Sequence, residues 1–260
     1  MSMVPMISIP TSFPTTDLVL PGAVAFSTLR NCRDAGDPYD GFSACHYTGA
    51  PETEVKAARE MLAARLGIEP SHLIIPRQTH SLNIATIDDD FDFSQLEDTD
   101  GVVTRRKDVA LCINTADCVP VVLCDPIAGV IGAVHSGWRG TVGRIAARAV
   151  ETMCSIGALP QHIHAAMGPC ICSGCYEVGP EVAEKFRREF PFYPGIVLTG
   201  AQKPHIDLAE AIRDTLIDAG VATGNIGMPP ACSKCNPRDY FSARALGVSS
   251  GRTLTALRLL

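Results

Sequence analysis

Three polar clusters stand at the ends of short apolar runs between Ile75 and Arg144. They are Arg77-Gln78-Thr79-His80, Asn114-Thr115-Ala116-Asp117-Cys118, and His135-Ser136-Gly137-Trp138-Arg139-Gly140. The edges of apolar runs are where a rigid scaffold presents chemistry. One Cys and two His suit a catalytic zinc, with three protein ligands and a fourth position open to water or substrate. His80, Cys118 and His135 supply that set. Their spacing, 38 residues and then 17, lacks the compact pattern of a zinc finger. Cys118 and His135 equally suit a thiol nucleophile with its base. Spacing alone does not separate these chemistries, and plain packing of a thiol and two histidines is a third reading.

Ser136 to Thr141 falls between a strand-like and a helix-like stretch. Glycines there let backbone N–H groups approach a ligand, and a helix N-terminus attracts anions. Arg139 adds a candidate bidentate contact to an oxyanion. No GxxxxGK[ST] occurs, and no GxGxxG follows a strand, so neither a Walker-type NTPase nor a dinucleotide enzyme is supported. A second cysteine group comprises Cys170, Cys172 and Cys175, then Cys232 and Cys235. Its two CxxC pairs are of the kind that build a structural zinc on four thiolates. The gap between the pairs is much longer than a zinc ribbon uses, and a redox-sensitive cluster or buried thiols fit the pattern too. Cys32, Cys45, Cys112, Cys124 and Cys154 read as small apolar packing.

The elements that must position these residues follow from periodicity. Helices are expected over Thr53–Leu66, Thr141–Ile156, Pro180–Phe190 and Asp207–Ala219. The first two are followed by Gly67 and Gly157, the third starts with Pro, and the last opens with Asp207 and Glu210 in a capping-box-like pair. Short β-branched runs predict strands at Leu73–Ile75, Ile84–Ile87, Val102–Thr104, Val109–Ile113, Val119–Leu123, Val130–Val134, Ile163–Met167 and Ile196–Leu198. Several follow one another without a helix between them, which implies antiparallel pairing. Periodicity thus predicts a mixed-sheet α/β domain rather than a regular doubly wound one.

Composition bounds the function. The 260 residues are 46% hydrophobic and 19% charged, which excludes a disordered polymer. With 22 Lys and Arg against 28 Asp and Glu, the net charge is −6, and neither nucleic acid nor an anionic membrane is an expected partner. Arg105-Arg106-Lys107 reads as a solvated turn. No apolar run approaches the roughly 18 residues of a membrane span. Eleven cysteines, an odd number, argue against a fully paired secreted framework. Met1 to Pro14 lacks the basic start of a signal peptide and is interrupted by three prolines. A reducing, cytoplasmic setting is therefore expected.

Eight segments together resemble the YfiH family, also called the laccase-domain or polyphenol oxidoreductase family. They are FSTLR (Phe26–Arg30), RQTH (Arg77–His80), DGVVT (Asp100–Thr104), TADCVPVVLCDP (Thr115–Pro126), AVHSGWRGT (Ala133–Thr141), GPCICSGCYEVGPEV (Gly168–Val182), HIDL (His205–Leu208) and YFSARALGVSSGR (Tyr240–Arg252). TADCVP followed by HxGWRG is highly specific. The resemblance implies a single compact α/β domain of the α+β type with mixed sheets surrounded by helices, a YfiH-like catalytic domain over 26–260 preceded by an N-terminal extension and first strand over 1–25. It implies a zinc, with copper as the rival ion, on His80, Cys118 and His135. It also implies phosphorolysis of adenosine, inosine, guanosine or methylthioadenosine, with adenosine deamination as a companion reaction. Purine nucleosides and phosphate are then the small-molecule partners, and a homodimer is admitted as the assembly.

Within that expectation Asp117 is the acid/base, or a carboxylate that only orients a ligand histidine. Arg139 or Arg244 would hold phosphate. Arg30, Ser43, Gln78, Ser136 and Trp138 are expected to face the substrate. The chain departs from the family pattern at Leu29, at Ser43 and at Ala245, places expected to border the substrate. Two enzymatic alternatives remain: a copper polyphenol oxidase, and a cysteine hydrolase or deamidase using Cys118 and His135. A full multicopper cluster needs many more histidines, largely in HxH pairs, than the seven present with their one His162-Ile163-His164. A non-catalytic binding protein is the third alternative.

Overall fold

Unbroken apolar runs such as Val119-Pro120-Val121-Val122-Leu123-Cys124 call for burial on both faces of a sheet. The structure, a computed structural model, describes residues 13–200 and 202–260. Residues 1–12 of the expected N-terminal extension lie outside the described residues.

The strands in chain order are β1 (Thr15–Asp17), β2 (Ala23–Thr28), β3 (Leu73–Ile74), β4 (Ile84–Ile87), β5 (Gly101–Thr104), β6 (Ala110–Thr115) and β7 (Val119–Asp125). They continue with β8 (Val130–Ser136), β9 (His164–Met167), β10 (Val197–Leu198), β11 (His205–Ile206), β12 (Ile226–Gly227) and β13 (Thr253–Leu259). The helices are α1 (Glu52–Leu66), α2 (Trp138–Val142), α3 (Ile145–Ser155), α4 (Pro180–Glu189), α5 (Leu208–Asp218) and α6 (Ala243–Leu246). One sheet runs β1-β2-β13-β6-β3 and another β12-β9-β7-β8-β5-β4, with β10 and β11 forming a separate pair. Both large sheets mix parallel and antiparallel neighbours.

The two large sheets pack face to face. Ala25, Leu111, Ile113 and Leu257 of the first share a core with Val102, Val122, Cys124 and Ile131 of the second. The outer face of the second sheet, with Val119, Val121 and Val134, packs under residues of α3, α4 and α5. The outer face of the first, with Phe26, Cys112 and Leu254, is covered by α1. Four layers thus bury both faces of each sheet, which is what the apolar runs required.

Helix boundaries follow local chemistry. Asp207 caps α5, its carboxylate accepting from the Glu210 amide at 3.0 Å. The stretch expected as one helix over Thr141–Ile156 begins earlier, at Trp138, and is two helices. Arg144 between them takes φ +55°, and its guanidinium pairs with Glu189 and Asp218. At the basic turn, Arg106 pairs with Asp108 at 2.7 Å.

Arg30, expected to face the substrate, is turned into the protein instead. Its side chain is fully buried, with Nε donating to the Asp40 carbonyl at 2.9 Å and Nη1 to Pro237 at 2.6 Å and Ala35 at 3.2 Å. Nη2 donates to the Asp34 and Asp37 carbonyls, and the guanidinium lies 4.9 Å over the Phe241 ring. The planar fork organises the 31–42 loop, because five donors match five carbonyls that have no strand partner. Arg30→Lys, with fewer donors and no plane, is expected to cost about 3 kcal/mol, since several buried carbonyls lose their donor. Urea unfolding of the two proteins measures it.

Candidate active site and metal centre

The register of β7 and β8 explains why distant residues meet. These strands form a hairpin in which Pro120 faces His135 and Val119 faces Ser136. Continuing one step places Cys118 beside Gly137, so the 17-residue spacing is the length of a hairpin. On the other side of β8, Gly101 of β5 faces Val134, and the His135 amide donates to the Asp100 carbonyl at 2.7 Å. The Arg77–His80 loop precedes β4, which lies parallel to β5. Three strand ends therefore bring His80, Cys118 and His135 together. Their ligand atoms lie within 4.8 Å of one another. Cys118 Sγ is 3.8 Å from His80 Nε2, and the two imidazoles meet edge to face at 4.8 Å.

Asp100 organises this centre, and the sequence reading did not single it out as a site residue. It is fully buried, and its carboxylate accepts from the amides of Thr79 at 3.0 Å, His80 at 3.1 Å and Ser81 at 2.7 Å. It also accepts from Ser81 Oγ at 2.8 Å and from His135 Nδ1 at 2.7 Å. His80 holds φ +65°, a backbone state uncommon outside glycine, and these bonds secure it there. With Nδ1 engaged by Asp100, the Nε2 atom of His135 is left for the centre. DGVVT, in which Asp100 stands directly before a strand, was the available signal.

The electrostatics form a chain of opposite charges. Burial disfavours ionising Cys118, but His135 and His80 beside its sulfur outweigh it and bring the thiol down to about 6. Burial also disfavours a charged His135, yet the Cys118 thiolate and the Asp100 carboxylate raise it to about 9. Burial works against Asp100 too, and its hydrogen bonds with His135 and the Thr79–Ser81 segment hold it at about 2. A soft thiolate and two imidazole nitrogens on rigid strand ends fit a transition-metal ion with an open position.

Gly137 makes room for this set. A Cβ there would stand 2.8 Å from His80 Cδ2 and 2.9 Å from Cys118 Sγ. Gly137→Ala is expected to lower metal affinity on the order of 10- to 100-fold by displacing both ligands, as loss of ligand support elsewhere does. Competition against a chromogenic chelator reads this directly.

The centre opens into a pocket of about 400 Å³ lined by Tyr47, Gln78, Asn114, Asp117, Trp138, Tyr176, Arg244 and Arg252 among others. Small-ligand sites are commonly 300–1,000 Å³. A wider groove of about 820 Å³ lies between α3 and α5, away from the three ligands. Asn114 is 2% exposed, and both atoms of its amide lack a protein partner. Burial and the Cys118 charge push the Tyr176 phenol up.

The other expected site residues divide. Gln78 lines the pocket, but its amide is spent on the backbone of Asn114 at 2.7 and 2.8 Å, which docks the RQTH loop on β6. Trp138 lines it, with Arg139 stacked 4.4 Å over its ring; Arg139 itself is outside the lining. Arg244 lines it, donating Nη1 to the Glu177 carbonyl at 3.0 Å. Asp117 is the carboxylate of the lining, yet it touches no ligand histidine. Its oxygens accept from Ser233 Oγ and from the Arg244 amide, both at 2.7 Å. The carboxylate that does contact a histidine of the set is Asp100, on His135 Nδ1 at 2.7 Å.

Ser43 and Ser136 do not reach the pocket. Ser43 Oγ accepts from the amide of pocket-lining Arg252 at 3.0 Å. Ser136 is fully buried, bonded to Thr141 Oγ1 at 3.0 Å. The α2 helix above it has one turn only, too short for the anion-attracting terminus expected from the sequence.

A profile described as multi-copper polyphenol oxidoreductase laccase matches residues 24–259. The chain belongs to this laccase family. It is 45% identical over 245 residues to an adenosine deaminase, RL5, from an unknown prokaryotic organism, covering 91% of this chain and 94% of that one. It is 39% identical to a purine nucleoside phosphorylase of Deinococcus radiodurans, covering 90% and 88%. Among solved structures, the hypothetical protein YfiH of Bacillus licheniformis superposes with a TM-score of 0.83 at 29% identity, covering 92% and 93%. Among the described residues of this laccase-family chain, the His/Cys/Asp/Glu groups that suit a metal are the His80–Cys118–His135 set and one group of four cysteines.

Proposed function

We propose that the chain is a zinc-dependent purine nucleoside phosphorylase with adenosine deaminase activity. The observation that carries this is the His80–Cys118–His135 set, with its open side facing a nucleoside-sized pocket. The kinship with a named adenosine deaminase and with named purine nucleoside phosphorylases supports the substrate class. Zinc on these ligands would supply a Lewis acid and a bound water of pKa about 7.

The chain's own residues divide the remaining work. Asn114 offers one amide donor and one acceptor in a nearly dry position, the pattern that reads the N6/N7 edge of an adenine. Arg244 brings a guanidinium to the pocket lining, suited to phosphate, while that of Arg252 is engaged by the carbonyls of Val248, Ser250 and Gly251. Trp138 and Tyr176 present ring surface for the base or sugar. In phosphorolysis a phosphate oxygen bonds to the sugar C1′ as the bond to N9 breaks, and the base leaves with the electron pair and takes a proton. In deamination, water oxygen adds at C6 and ammonia leaves. Asp117, engaged by Ser233 and the Arg244 amide, chiefly holds Arg244 in place, and as the carboxylate of the pocket lining it is our candidate for proton transfer.

The Asp100–His135–Cys118 chain also suits a cysteine hydrolase. His80, a second imidazole 3.8 Å from the sulfur, weighs against it, since a thiol nucleophile has no use for two. A panel of adenosine, inosine, guanosine and methylthioadenosine, assayed with and without phosphate, tests the proposal. Base release that requires phosphate, with inosine formed from adenosine in its absence, is expected. Zinc-loaded protein that turns over none of these nucleosides would sink it, and copper-dependent polyphenol oxidation in its place would favour the oxidase.

A further inference from the structure

The second cysteine group lies on two segments without helix or strand, Gly168 to Gly179 and Met228 to Ser242. Segments that long inside a folded domain call for some added constraint. The sulfurs of Cys172, Cys175, Cys232 and Cys235 lie within 4.8 Å of one another, and those of Cys175 and Cys235 are 3.5 Å apart. All four are free thiols. Four sulfurs at about 2.3 Å from one zinc stand about 3.8 Å apart at the corners of a tetrahedron, so shifts of about 1 Å complete the geometry.

The backbone prepares this meeting. In the first CxxC turn, the amides of Cys175 and Tyr176 both donate to the Cys172 carbonyl at 3.0 Å. The Ser233 amide donates to the Cys170 carbonyl at 2.9 Å, and Cys170 donates back to Ala231 at 3.3 Å, which sets the two turns side by side. The Cys172 amide donates to Cys232 Sγ at 3.3 Å across 60 residues of sequence. Amides aimed at sulfur are the outer support that thiolate ligands use. Cys172 and Cys235 are exposed, so small-apolar packing does not account for them.

We propose that Cys172, Cys175, Cys232 and Cys235 hold a structural zinc that fastens the two turns together. Four thiolates close its coordination, leaving no position for substrate. The clamp reaches the pocket through two residues. Tyr176 follows Cys175 directly and lines the pocket. Ser233, inside the second turn, donates to Asp117, which in turn holds the Arg244 amide. The second zinc would thereby fix the part of the pocket lining that carries Tyr176 and Arg244.

Metal analysis of the full chain, purified under reductant with zinc supplied, tests this independently of the catalytic reading. Two zinc per chain are expected in the parent, and one each in Cys118→Ala and in a Cys172→Ser/Cys235→Ser double variant. Cobalt loaded into Cys118→Ala protein should give strong thiolate-to-metal absorption and tetrahedral visible bands. This arm leaves all four cysteines in place, so it stands even where the double variant fails to fold. Chelation of the Cys118→Ala protein should also lower its unfolding temperature. Cys118→Ala protein that binds neither zinc nor cobalt, an intact mass reduced by two protons in a disulfide-linked cluster, or iron in place of zinc would overturn the assignment.

Discussion

Cys118→Ala is expected to reduce nucleoside turnover by on the order of 10³-fold or more. The sulfur is the one anionic ligand of its set, and Ala leaves two imidazoles that hold a divalent ion weakly. Lewis-acid stabilisation amounts to several kcal/mol, and each 1.36 kcal/mol is tenfold in rate. The fold should survive, because Cys118 precedes β7 and the β7–β8 register is carried by backbone bonds and by the buried valines on either face. Zinc content of the first centre and turnover should therefore fall together while the circular dichroism stays unchanged. A metal-free Cys118→Ala protein with parental turnover would remove the centre from the reaction.

Asp100→Asn is the second. The replacement keeps the shape but turns half of an all-acceptor group into a donor. That donor then meets backbone N–H groups of the Thr79–Ser81 segment or Nδ1 of His135, all of which already donate. Metal affinity and turnover are expected to drop about 10- to 100-fold. A second readout separates this from simple loosening. In metal-free parent protein, the rate of Cys118 alkylation by iodoacetamide should rise with pH around a midpoint of about 6. Without the carboxylate, the His135 imidazolium loses its partner and gives up its proton more readily. The thiolate then loses its neighbouring cation, so the midpoint must move up toward the ordinary thiol value of 9.0. A midpoint left near 6 in Asp100→Asn would show that His135 does not depend on Asp100. Zinc should block alkylation in both proteins.

Local signals in the chain were strong where one residue type has one reason to be present. Pro180 starts α4, and Asp207 caps α5. The apolar runs that became β7 and β8 need burial on both faces, and two sheets with helices outside supply it. Other elements were silent. β13 reads TLTALRL, and its threonines look solvent-facing. They are buried because Thr255 bonds Ser27 at 2.8 Å and Thr253 accepts from the Phe241 amide at 3.2 Å. The break at Arg144 was hidden because the groups its guanidinium meets there, Glu189 and Asp218, are distant in sequence. Arg30 looked like a substrate residue because nothing local reveals that the carbonyls of Asp34, Asp37 and Pro237 converge on it.

The sequence by itself determined which side chains can do chemistry: two histidines and a cysteine at the ends of apolar runs, and two CxxC pairs. Ligand identity is a property of residue type, and the runs beside them dictate strands. Which of those residues meet in space is a matter of tertiary structure. Hairpin register is set by pairing across strands, so it alone places Cys118 beside Gly137 and Asp100 behind His135. Asp100, rather than Asp117, meets Nδ1 of His135 because β5 pairs with β8. Likewise, the two CxxC pairs meet because the Cys170 and Cys232 segments run side by side, a contact between residues whose separation along the chain carries no local signal.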